Sequence, residues 1–200
     1  MGKIYILNAP PNSGKDVIAD HLVQKRGYHK EQFKTPLFVI AAAMLGLSLQ
    51  RFMTLYQDRE YKESKHPTIG MSIRELMIKI SEDFVKPICG QNAFGVLAAR
   101  RITQSDTHDD FVFSDGGFVK EIESLCDTFG KDTVVIIRIH RKGCNFENDS
   151  RKYITDKDAD ELGVRVHDFF NDEQPLPELF DDFEHFIDLA AELEVKYDLK

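Results

Sequence analysis

The chain has no run of apolar residues near the ~20 that a membrane span requires. Its longest, residues 37–47, holds small residues and Gly46 and reads as a buried helix. Cysteine is scarce. Cys89, Cys126 and Cys144 form an odd, scattered set, which argues against a disulfide framework and for a reducing compartment. No basic leader precedes the first apolar segment, so a cytoplasmic location is expected. Basic charge is in deficit, with 26 Lys and Arg against 34 Asp and Glu and a net charge of −8. That balance argues against a general nucleic-acid coat, which needs a broad basic face. Internal repeats and low-complexity tracts are also missing. At 200 residues the chain suits a single domain able to bury a core without staples.

What is present is an alternation of short apolar runs and helical patterns. Residues 3–8 (KIYILN) read as a central strand. Val17, Ile18, Leu22 and Val23 then follow a helical period. Pro36 opens a second helix to Leu45, and Ser48 caps a third to Tyr56. The charged stretch 58–66 reads as exposed. Ser72 and Glu75 form a capping box, followed by Ile73, Leu76, Met77, Ile80 and Phe84 on one face of a helix that stops before Pro87. Another helix spans 92–102. Residues 111–113 form a buried strand ending in Ser114 and Asp115, 117–129 a helix, and 133–139 (TVVIIRI) a second buried strand. A last strand at 164–170 and a helix opened by Pro177 complete the pattern. The apolar stripe of that helix reads as core. Such alternation implies a doubly wound α/β parallel sheet covered on both faces, with ligands beyond the carboxyl ends of its strands.

Two strand ends carry suggestive chemistry. Residues 9–16 (APPNSGKD) lie where the phosphate-loop pattern G-x-x-x-x-G-K-[ST] would fall. Gly14 and Lys15 match, Ala9 replaces the first Gly, and Asp16 replaces the hydroxyl residue. The strand before and the helix after supply the required context. Backbone N–H groups around Asn12, Ser13, Gly14, Lys15, Asp16 and Val17 can wrap a phosphate at the positive end of the helix. Lys15 can reach the β- and γ-phosphates of ATP, and the Asp16 carboxylate can hold Mg²⁺, an ion that favours oxygen ligands. The other reading is a Pro/Gly turn with an incidental lysine.

Asp115, at the second strand end, is placed to hold Mg²⁺ or its waters or to orient an acceptor. It can also serve as a helix N-cap for N–H groups near Phe118. Residues 138–152 carry five cations against Glu147 and Asp149, a local basic segment in an acidic chain. Arg141 and Arg151 there can fork to phosphate oxygens in a lid that excludes water. Arg74, at the capping box, is a further candidate. Arg100 and Arg101 read as helix C-terminal charges. His140 and Cys144 lie four apart, with no second pair to complete a zinc site.

Taken in order, Ser13-Gly14-Lys15-Asp16, Phe33-Lys34-Thr35-Pro36-Leu37, Ser72-Ile73-Arg74-Glu75, and Ser114-Asp115 with Phe118 and Glu121 resemble the deoxynucleoside monophosphate kinases of large DNA bacteriophages and related P-loop kinases. The resemblance implies a P-loop NTPase fold over residues 1–200. It also implies a helical acceptor-binding insertion at about 36–104, a short lid at about 140–153, and host-cell cytoplasm as the location. ATP and Mg²⁺ are the implied cofactors and a nucleotide the implied acceptor. By resemblance, Lys15 is the ATP-phosphate lysine, Arg74 faces the acceptor, and Arg141 and Arg151 are lid arginines. The family tends to place an arginine where this chain has Gly117. A related group phosphorylates hydroxymethylated pyrimidines in DNA, and Gly116 and Gly117 would give a polymer room. A nucleotide-binding regulator or ATPase without an acceptor is the reading from another class. A homodimer is compatible with the sequence, and no membrane partner is expected.

Overall fold

A computed structural model describes residues 2–105, 107–147 and 149–198, with side chains through residue 193. Residue 148 of the basic segment lies outside the described residues. Five strands, β1 (Ile4–Asn8), β2 (His29–Glu31), β3 (Phe111–Gly116), β4 (Val134–Arg141) and β5 (Arg165–Asn171), form one sheet in the order β2-β3-β1-β4-β5. All four pairings are parallel. The fold is therefore α/β with a doubly wound sheet.

Alternation along β1 shows why both faces are covered. Ile4 and Ile6 enter one core with Phe111, Phe113, Val134 and Ile136. Tyr5 and Leu7 enter a second with Val112, Val135 and Ile137. Helices α1 (Lys15–Arg26) and α10 (Leu176–Asp198) cover the second face through Ile18, Leu22, Leu179 and Phe183. The stripe of α10 is thus core, as its spacing implies. The first face is covered by α2 (Thr35–Met44), α3 (Leu49–Tyr56), α5 (Ile73–Lys79), α7 (Ala93–Thr103), α8 (Val119–Phe129) and α9 (Asp156–Leu162). Among the described residues, no single helix is long and apolar enough to cross a membrane.

Several local expectations need correction. Residues 58–66 contain a short helix, α4 (Arg59–Glu63), because the Asp58 carboxylate accepts from the N–H groups of Glu60 and Tyr61. The helix begun at the Ser72–Glu75 box does not stop at Pro87. It widens into a π-turn at Ile80–Val85 and resumes as α6 (Lys86–Cys89), and Pro87 sits directly after the widened turn. Val17 is exposed, and α1 buries Ile18, Ala19 and Leu22 instead. In α2, Val39 and Met44 are exposed while Leu37, Phe38, Ala41 and Ala42 are buried. His140 and Arg141 belong to β4, not to the irregular segment after it.

Candidate functional site

The turn between β1 and α1 sits at the carboxyl end of the central strand, where the winding direction reverses. Asn12 (φ 65°) and Gly14 (φ 96°) are both left-handed, which curls the chain around Ser13. Gly14 answers to sterics as well as to dihedral preference, since a Cβ there would lie 2.9 Å from Asn171 Nδ2. The Ser13 hydroxyl donates to the Pro10 carbonyl (2.9 Å) and closes the turn. From β5, Asn171 Nδ2 donates to the Ser13 carbonyl (3.0 Å). The first backbone bond of α1 runs from Ile18 N–H to Gly14 C=O (3.0 Å). N–H groups in the turn before it have no partner within the helix.

Lys15 is only 7% exposed, and its ammonium donates to the Pro10 carbonyl (3.1 Å). Burial pushes its pKa below the ordinary lysine value. Arg151 and Lys34 push the same way, while Asp16 (3.9 Å) and Asp149 oppose them. Asp16 is exposed, in the first turn of α1.

Asp115 is 6% exposed. Between the pairs Ile6–Phe113 and Asn8–Gly116 the register of β1 and β3 slips by one residue, and such a bulge re-aims a side chain. Asp115 does not cap α8, whose N-cap residue is Phe118 with no side-chain bond. Its two oxygens accept instead from the N–H groups of Phe33 and Lys34 (3.1 Å each), at the start of α2. It therefore fixes where the helical stretch 35–103 leaves the sheet.

Arg151 is held by Asp149 in a two-pronged pair (Nε–Oδ1 2.9 Å, Nη2–Oδ2 2.6 Å). Burial opposes both charges. The hydrogen bonds win, holding Asp149 below and Arg151 above its ordinary pKa. The expected room at Gly117 is not there. A Cβ at that position would lie 2.7 and 2.8 Å from Arg151 Cβ and Cγ, so the arginine stem fills the space. At Gly116 an added Cβ would collide with Ile6. Arg141 donates to the Asn12 carbonyl (3.0 Å) and tethers the strand to the turn. Arg138 is tied to Asp156 and Asp168. Arg74 is exposed and paired with Glu63 (2.9 Å). Arg101 is bound to Glu31 and to the Gln32 carbonyl.

A cleft of about 900 Å³ opens over the turn. Pro11 and Asn12 form one side of it, Arg59, Glu63 and Arg74 another, and Cys144 and Asp149 a third. Lys15, Asp16, Asp115, Asp149 and Arg151 all lie within electrostatic reach of Arg151 or Lys15. Two contributors were missed from sequence, and a third, Glu121, was singled out there without a role. Buried Asn8 donates to the Gly116 and Lys152 carbonyls and accepts from Ile154 N–H, which pins the basic segment to the sheet. A polar residue closing an apolar run was its only signal. Asn171 carried none. Glu121 is 5% exposed, and its Oε2 has no hydrogen-bond partner among the described residues. Burial, with Asp115 adding, raises its pKa to about 8.

No protein-family model matches the chain, and no curated protein sequence matches it. Among solved structures it is similar to a gluconokinase from Sinorhizobium meliloti 1021. The identity is 13%, over 98% of this chain and 97% of that one, with a TM-score of 0.48.

Proposed function

We propose that the protein is a P-loop kinase that passes the γ-phosphoryl group of ATP to a deoxynucleoside monophosphate. The observation that carries this reading is Lys15, a buried ammonium at the mouth of α1, in a turn with two left-handed residues beneath the cleft. A lysine that only decorates a turn would extend into water. This one gives up hydration to sit among backbone dipoles, an arrangement that suits a polyanion arriving from the cleft.

Bound ATP and Mg²⁺ supply the transferable phosphoryl group and screen its charge. The donor set fits that ion. Mg²⁺ commonly takes one or two carboxylates together with phosphates and water, and Asp16 offers an exposed carboxylate beside Lys15. Asp115, with both oxygens on amides, would reach the ion through its waters. In this reading the turn's N–H groups and Lys15 bind the β- and γ-phosphates, and Lys15 offsets charge that develops during transfer. Arg151 stands ready to exchange Asp149 for a phosphate. Catalysis is positioning and electrostatics, without a covalent intermediate.

The test is γ-labelled ATP offered with the four deoxynucleoside monophosphates, their nucleosides and hydroxymethylated DNA. Label on a monophosphate is the expected result. Label on DNA alone selects the base-kinase reading. ADP release that ignores every acceptor selects an ATPase or regulator.

A further inference from the structure

Two cations of the helical stretch, Arg59 and Arg74, line the cleft, and two more, Lys34 and Lys62, lie near them. Arg74 is neutralised by Glu63. Lys34 and Lys62 have no carboxylate within ion-pair distance among the described residues. Both ammonium groups instead sit over one aromatic ring, that of Tyr56, at 6.0 and 5.1 Å from its centroid. Lys34 also lies 5.5 Å from the Phe38 ring.

One cation over a ring is ordinary. Two on the same ring repel each other, because the ring has a quadrupole but no net charge to offset them. Burial holds the Lys62 pKa below the ordinary lysine value, Arg74, Lys34 and Arg59 lower it further, and Glu63 opposes them. Lys34 also bears on Lys15, so the cations run from the phosphate turn toward Tyr56. Arg59, Glu63 and Arg74 line the cleft that begins at Asn12. Half-buried like charges with no carboxylate at ion-pair distance among the described residues, beside a cleft, suit an anion.

Deepening the phosphoryl-transfer reading, we propose that the ammonium groups of Lys34 and Lys62 over the Tyr56 ring bind the phosphate monoester of the acceptor, which must arrive already phosphorylated. An oxygen of that monoester forms the new bond to the γ-phosphorus while the bond to the β,γ-bridging oxygen breaks and ADP leaves. A monoester dianion brings no proton to remove, so transfer needs no base. This agrees with Asp115, whose two oxygens both accept from backbone N–H groups. The alcohol that becomes this monoester must be phosphorylated by an earlier reaction.

The experiment measures equilibrium binding of the four deoxynucleoside 5′-monophosphates, their nucleosides and inorganic phosphate to the wild-type protein, and transfer of label from γ-labelled ATP to the same monophosphates and nucleosides. Lys34→Gln, Lys62→Gln, Lys34→Arg and Lys62→Arg are measured beside it, with ADP affinity reporting an intact fold. Each Gln variant is expected to weaken monophosphate binding about tenfold or more, as loss of a charge partner does, and each Arg variant to restore most of it. Unchanged monophosphate binding in both Gln variants would overturn the assignment and leave the kinase reading intact. Nucleosides turned over as well as monophosphates would overturn the phosphorylated-acceptor requirement. If no compound of the panel is turned over, the kinase reading loses its acceptor, and inorganic phosphate decides the site. Weaker phosphate binding in the Gln variants supports it, and none in the wild type removes it.

Discussion

Asp115 accepts a backbone N–H on each of its two oxygens, and an amide side chain cannot accept through both of its terminal atoms. Asp115→Asn would turn one N–H donor toward another. The loss of one charge-assisted bond and the clash of donors should cost about 2–3 kcal/mol. Urea unfolding checks this, and a cost below about 0.5 kcal/mol would mean the two amide bonds are incidental. Sequence alone makes Asn look like a tolerable cap here. That expectation fails because the capped helix is α2, some eighty positions earlier in the chain, and not α8 next door. Lys15 was legible because its pattern is local, with Gly14 before it and a helix after it. Asn171, Lys62 and the Asp149–Arg151 pair were not legible, because their partners are distant or depend on the path of an irregular loop.

At the scale of elements, several links hold the segment after β4, and three of them bear on the site. These are Asn8 to Lys152 and Ile154, Asp149 to Arg151, and the Arg151 stem against Gly117. Gly117→Ala puts a methyl into that stem close to the Arg151 backbone, where rotation of the distal side chain gives no relief. The expected result is a lowered kcat, about tenfold, with ADP affinity nearly unchanged. An unaltered kcat would take Arg151 out of the transfer step. Asp149→Asn should destabilise by about 1–3 kcal/mol, since it leaves a half-buried guanidinium short of its counter-charge, and thermal unfolding reads this directly. The strands and long helices were readable because their apolar periods are strong. β2 was not, since its His29, Lys30 and Glu31 carry no apolar signal and the strand exists only by pairing with β3. α9 was missed for a similar reason. Its sequence is mostly acidic, and it is started by the reciprocal bonds of Thr155 and Asp158.

At the scale of the whole molecule, Glu121 couples stability to pH. Its pKa rises from 4.5 to about 8 on folding, so the folded state binds the extra proton between those values. The stability from the neutral acid is complete below pH 4.5 and is lost as pH rises through 8. Asp149, held below 3.8, works in the opposite direction and loses its contribution only as pH falls below that value. Glu121→Gln should therefore flatten the decline in stability between pH 5 and pH 9 by more than about 1 kcal/mol. Urea midpoints across that range check it, and parallel curves for wild type and variant would show that Glu121 is charged and solvated.

The whole molecule is thus a sheet whose central strand ends in a turn with two left-handed residues, roofed by helices that carry cations. The central claim is that Lys15 binds phosphate there and does not merely fill the turn. Lys15→Met keeps the stem and removes the charge, and relief of a buried ammonium should leave the melting temperature unchanged or higher. The decisive measurement is transfer of label from γ-labelled ATP to deoxynucleoside monophosphates by wild type and Lys15→Met, both confirmed as folded. A fall of at least about 10²-fold in kcat is the predicted result, the usual loss for one electrostatic donor at a transition state. Equal transfer by the two proteins would contradict the account at its root.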